Sequence, residues 1–246
     1  GRPIHFTIRS SAKSRSVSLK LNARNGLQVS VPAGIAMKQV MDLVASKADW
    51  IAHHLSRFDE VRHHLTEAVP VRPQAFDLPA LAESWRVEYL ETRAKTVGAR
   101  SDRPGRLIVY GAVEDTMACQ AALRRWLARH AKEHLAPWLQ RVSEETGLRF
   151  SDVAIKTQRT RWGSCSADKR ISLNCKLLFL PRDLVRYVLV HELCHTMEPN
   201  HSQGFWVLVR VWTPSVEQMH GRMQEAWKLV PAWAVPVRPT VESHLV

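Results

Sequence analysis

The sequence predicts an α+β fold: a strand-rich N-terminal part with one long helix, followed by a mostly helical part with a small β-sheet. Three observations carry this. Short alternating segments with turn signals dominate the first third, a three- and four-residue apolar period takes over after them, and helical periodicity returns from Glu114 onward. With 246 residues and 45% apolar content the chain can bury a sizeable core.

In chain order, "IHFTIR", "SVSLKL" and "LQVSV" alternate apolar and polar residues. The last two are separated by "NARNG", whose Asn25-Gly26 pair favours a tight turn, so a small β meander is expected. From Gly34 to about His64, Val40, Leu43, Val44, Ile51 and Leu55 recur at helical spacing. Pro70, Pro73 and Pro79 then interrupt regular structure, and "WRVEYLET" and "RLIVYG" read as strands around the charged turn "GARSDRPG". A helix is expected over about Glu114–Glu145, with Pro137 kinking or dividing it. Strands "VAIKTQ" and "ISLNCKLLF" flank the loop "RTRWGSCSADKR", and helices follow Pro181 as far as Leu229. The implied division is residues 1–112, residues 113–229, and an extended C-terminal tail at 230–246 that contains three prolines.

Lys and Arg number 35 against 23 Asp and Glu, a net charge of +12, which makes nucleic acid or another polyanion a possible partner. No apolar run is long enough for a membrane span, and no secretory leader is legible, so a cytoplasmic location is expected. Cys119, Cys165, Cys175 and Cys194 show no CxxC spacing and are expected to be ordinary small residues. A glycine-rich phosphate loop is also missing from the sequence.

The chemistry concentrates in "VLVHELCHTMEPNH". His191 and His195 are four apart, so on a helix both imidazoles point to one place. Glu192 lies about 100° further round, able to reach a metal-bound water without ligating. Pro199 disfavours helix at Glu198, so the chain should turn within a residue or two of His195 and bring His201 back. Three neutral ligands leave a tetrahedral Zn²⁺ site one open position for water. Zinc would lower the pKa of that water from ~15.7 toward ~7, with Glu192 as the catalytic base. Two histidines and a glutamate in a nearly all-apolar helix would be costly unless ligated or paired.

Taken together, "RWGSCS", "ISLNCKLLFLP" and "YVLVHELCHTMEPNHSQGFW" resemble the YgjP-like metal-dependent hydrolases, a zincin family related in motif to SprT-like and WLM metallopeptidases. The resemblance spans about Arg15 to Leu229 and is strongest from Arg161 to Trp206. It implies a zincin-like catalytic domain at 113–229, His191, His195 and His201 as zinc ligands, and Glu192 as general base. The turn glycine of metzincins is replaced by Glu198, which excludes that branch. Arg161, Trp162, Asn174 and Tyr187 are expected at the substrate rim or behind the ligands, with Arg161 and Tyr187 candidates for oxyanion stabilisation. An extended peptide can add to an edge strand near the loop. A zinc metallopeptidase cleaving peptides or proteins is therefore the leading expectation. The alternatives are a metal-dependent nucleoside triphosphate phosphohydrolase, disfavoured by three soft histidine ligands, and a DNA-associated protease.

Overall fold

The computed structural model describes residues 6–11, 18–22, 26–32, 34–47 and 71–236. The chain forms two compact units, Gly1–Glu67 and Ala68–Val246. This boundary differs from the division expected near residue 112. The four strands between 75 and 111 belong with the long helix that follows, because that helix is their apolar cover.

In the first unit, β1 (Phe6–Ser11), β2 (Ser18–Asn22) and β3 (Gly26–Pro32) form a sheet in the order β1-β3-β2. β1 runs parallel to β3 and β2 antiparallel to it, so this is not the expected meander. The most apolar of the three segments takes the centre: Val29 and Val31 of β3 are buried. Helix α1 (Met37–Ser46) buries Val40 and Val44 on one stripe, as the four-residue spacing requires. The expected continuation of this helix to about residue 64 and the Asn25 side of the turn lie outside the described residues.

The second unit opens with β4 (Ala75–Leu78), β5 (Glu83–Glu91), β6 (Gly98–Arg103) and β7 (Arg106–Gly111), ordered β4-β5-β7-β6. β4 sits between prolines and was not foreseen. "GARSDR", expected as a turn, is instead the edge strand β6 paired antiparallel with β7. An edge strand with one solvated face tolerates such charges, and the reversal falls on Pro104-Gly105, where Gly105 has a positive φ of 77°.

Helix α2 (Thr116–Thr146) crosses this sheet. Asp115 caps it by accepting from the Ala118 amide at 2.9 Å, and Gly147 ends it in the left-handed conformation. Pro137 neither divides nor ends the helix; it lies inside a continuous run, exposed, while Leu135, Trp138 and Leu139 beside it are buried. Packing of the turns on both sides outweighs the missing backbone hydrogen bond. Arg125 and Arg129 donate from α2 to the carbonyls of Val97 and Ala99, at 2.7 and 3.0 Å, fastening helix to sheet.

A third sheet, β8 (Asp152–Lys156), β9 (Gly163–Cys165) and β10 (Arg170–Asn174), has β10 at its centre and β9 at an edge. The expected strand "ISLNCKLLF" stops at Asn174. The Asn174 side chain accepts from the Lys176 amide and caps a 3-10 turn, Cys175–Phe179, whose residues are all buried. Pro181 then starts α3 (Arg182–Cys194), followed by α4 (Gln203–Trp212) and α5 (Val216–Glu225).

The first part of the expected tail is core. Val230, Trp233, Ala234 and Val235 are buried, and the Trp233 ring packs on Phe76 and Phe179. Arg124 of α2 donates to the Trp233 carbonyl at 2.8 Å. The apolar residues of "VPAWAV" lack a helical or strand period because a short 3-10 turn buries them. Residues 237–246 lie outside the described range.

Candidate metal centre

Helix α3 carries the centre because it is pinned on several sides. Asp183 in its first turn accepts from the Leu184 amide and pairs with Arg222 of α5. Leu184, Val185, Val188, Leu189, Val190 and Leu193 are buried, and the helix packs against α2, α4, α5 and β9. Its last turn holds His191 and Glu192, with His195 as the capping residue. The chain then reverses through Pro199, and Ser202 opens α4 by accepting from the Phe205 amide at 3.2 Å.

This reversal brings His201 to the helix. One ring nitrogen from each of His191, His195 and His201 lies within 4.8 Å of the others, and the Nε2 atoms of His191 and His201 are 3.1 Å apart. His195 Nδ1 lies 3.0 Å from the Glu198 carbonyl oxygen. That contact places the proton on Nδ1 and leaves Nε2 free to ligate.

Phe205, fully buried, wedges among the three imidazoles. It stacks on His195 with centroids 4.4 Å apart and meets His191 and His201 edge-on. Sequence reasoning did not single it out. The signal was present: Phe205 is four residues after His201 and three after the capping Ser202.

Burial, then the neighbouring imidazoles, push the His191 pKa down to about 3, so it is neutral at physiological pH. Burial likewise lowers His201, with His195 and His220 adding to the effect. Neutral nitrogens are what a metal requires.

Glu192 is buried against β9. A side chain at Gly163 would put its Cβ 2.5 Å from Glu192 Oε1, so only glycine leaves room for this carboxyl group. Glu192 Oε2 is buried without a hydrogen-bond partner among the described residues. Burial raises its pKa to about 8, opposed by the positive charge of Arg161. A costly orphaned carboxyl oxygen beside three convergent imidazoles fits a divalent metal with a water between them.

The four residues expected around the ligands are placed as follows. Arg161 is exposed in the loop before β9, where its charge reaches Glu192. Trp162 stacks on Trp227 at 4.0 Å. Asn174 is fully buried and donates to the carbonyls of Gln158 and Arg161 at 2.8 and 2.7 Å, so it holds the loop rather than a histidine. Lys176, also fully buried, donates to the same Gln158 carbonyl at 2.8 Å. Tyr187 is buried, its ring 6.1 Å from that of His191 and its hydroxyl unpartnered among the described residues.

A family model described as YgjP-like, metallopeptidase domain matches residues 15–226, most of the chain. The chain belongs to the YgjP-like family. It is accordingly a peptidase-type hydrolase with a divalent metal implied by its family. No curated protein matches it. Among solved structures, it is similar to the metallopeptidase zymogen of Pyrococcus abyssi abylysin, at 24% identity over 35% of this chain and 89% of that chain, with a TM-score of 0.33. Among the described residues, no helix of this YgjP-like chain is long and apolar enough to cross a membrane.

Proposed function

We propose that this YgjP-like chain is a zinc-dependent metallopeptidase of zincin-like construction, with His191, His195 and His201 as ligands and Glu192 as general acid and base. The observation that carries this is the convergence of three imidazoles beside a buried carboxyl oxygen that has no partner. The donor set suits Zn²⁺ over Mg²⁺, which prefers carboxylates and water. When bound, zinc supplies Lewis acidity that polarises a carbonyl and acidifies water.

The protein's own groups do the rest. Glu192 takes a proton from the attacking water and passes it to the leaving amine. The His195 contact with the Glu198 carbonyl fixes the ring whose Nε2 would hold the metal. Arg161 is the better placed of the two oxyanion candidates, because it is exposed and its charge acts on Glu192, whereas the Tyr187 hydroxyl is buried. β9, at the edge of its sheet and packed against α3, supports a peptide that binds as an added strand and runs past Glu192. Arg161 and Arg159, in the loop that leads into β9, give this rim positive charge, whereas Lys156, expected with them, ends β8 at the opposite edge of the sheet.

Zinc content and cleavage of a peptide library, measured together, test the assignment. Glu192→Gln is expected to keep zinc and lose about 10²–10⁴-fold in turnover. His191→Ala and His201→Ala are expected to lose the metal. Full turnover in the glutamine variant would remove Glu192 from the mechanism.

A further inference from the structure

We infer that Glu83, His130 and His134 form a second divalent-metal site, of the two-histidine, one-carboxylate class, which fastens β5 to α2. Glu83 is the first residue of β5, and His130 and His134 are one turn apart on α2. Their ligating atoms lie within 4.8 Å of one another. His130 Nε2 is 2.7 Å from Glu83 Oε2, and His134 Nε2 is 4.0 Å from Glu83 Oε1, so each carboxylate oxygen faces a different imidazole. The two rings are 4.5 Å apart, centre to centre.

A plain histidine–glutamate hydrogen bond accounts for the short contact alone. It does not account for a second imidazole that turns its Nε2 to the other oxygen of the same carboxylate. A metal does, since about 2.0–2.2 Å from zinc to each nitrogen and oxygen requires only small adjustments of these atoms.

The surroundings are those of a metal ligand set. Trp85 Nε1 donates to Glu83 Oε2 at 2.9 Å and orients the carboxylate. The His130 ring is held between Trp126, stacked at 4.8 Å, and Trp85, edge-on at 5.3 Å. His130 Nδ1 is 3.9 Å from a carboxylate oxygen of Glu133, an exposed side chain whose small rotation gives Nδ1–H an acceptor and keeps Nε2 free for the metal. One wall is closed by the buried indoles, while the His134 side chain is 39% exposed and opens the site to solvent. A metal enters on that side, with room for water to complete its coordination. Nothing in the peptidase centre uses these residues.

Such a site bridges elements 47 residues apart in sequence and stabilises the folded chain by mass action. The test uses the full chain carrying His191→Ala and His195→Ala, which removes the first centre. Zinc affinity is measured by competition with a chelator, and thermal unfolding is followed with and without zinc. This parent is expected to retain a zinc equivalent and to melt higher with zinc. Adding His134→Ala or Glu83→Gln is expected to weaken that binding tenfold or more and to remove the thermal shift. Both positions are partly exposed, and glutamine preserves the acceptor for Trp85, so both variants fold. No retained zinc in the parent, or a loss below tenfold in either variant, overturns the site.

Discussion

Gly163 shows how a single backbone position governs the chemistry next to it. Its missing side chain lets the Glu192 carboxyl group lie against β9, where Oε1 would otherwise be 2.5 Å from a Cβ and Cδ 2.7 Å. Gly163→Ala therefore cannot be accommodated without displacing that carboxyl group, and the imidazoles of His191, His195 and His201 need not move. Steady-state kinetics with metal analysis should show turnover reduced about tenfold or more, since misplacing a reacting group is costly, while zinc content is unchanged. Loss of zinc in parallel with turnover would mean that the substitution disturbs the whole helix and not Glu192 alone. The same geometry explains why the HExxH spacing gave no hint of Gly163: helical spacing is local, and a contact between β9 and α3 is not.

At the scale of elements, α2 and α3 make separate predictions. Pro137 is exposed within a continuous helix, where proline is about 3 kcal/mol less favourable than alanine. Pro137→Ala should raise stability by on the order of 1 kcal/mol or more, visible as a higher midpoint in urea unfolding; an unchanged midpoint would mean that the helix has already adapted to the ring. For α3, the Arg222 hydrogen bond, ahead of the Leu184 amide, holds the Asp183 carboxyl below its ordinary 3.8. A carboxyl group with a depressed folded pKa stabilises above its unfolded pKa, and that contribution is lost as pH falls from near 3.8 through the lower folded value. Both partners are partly exposed, so the effect is about 0.5 kcal/mol. Arg222→Met should accordingly narrow the difference in stability between pH 6 and pH 3, and an identical pH profile would show that the pair is energetically neutral.

At the scale of the molecule, the net charge of +12 makes a prediction that no single site makes. A phosphate-contacting role for that charge predicts that fluorescence anisotropy with duplex DNA shows affinity falling steeply between about 50 and 200 mM salt. Absent or salt-indifferent binding would leave the charge without that role. The fold was legible where periodicity is local. α2 and α3 stand where apolar spacing placed them, the described part of α1 lies within its expected range, and the α+β class follows from that spacing and the strand segments. The parallel pairing of β1 with β3 and the burial of Trp233 were not legible, because each depends on partners distant in sequence, and the edge strand "GARSDR" was not, because it is polar and charged along its length and lacks an apolar alternation. The sequence by itself determined that His191 and His195 share a face and that the chain turns back at Pro199, since a helical period and a proline ring act over a few residues. Only the tertiary structure decided that Phe205 would wedge among the imidazoles, that Gly163 would seat Glu192, and that Glu83 would meet His130 and His134, because those distances are set by the packing of whole elements.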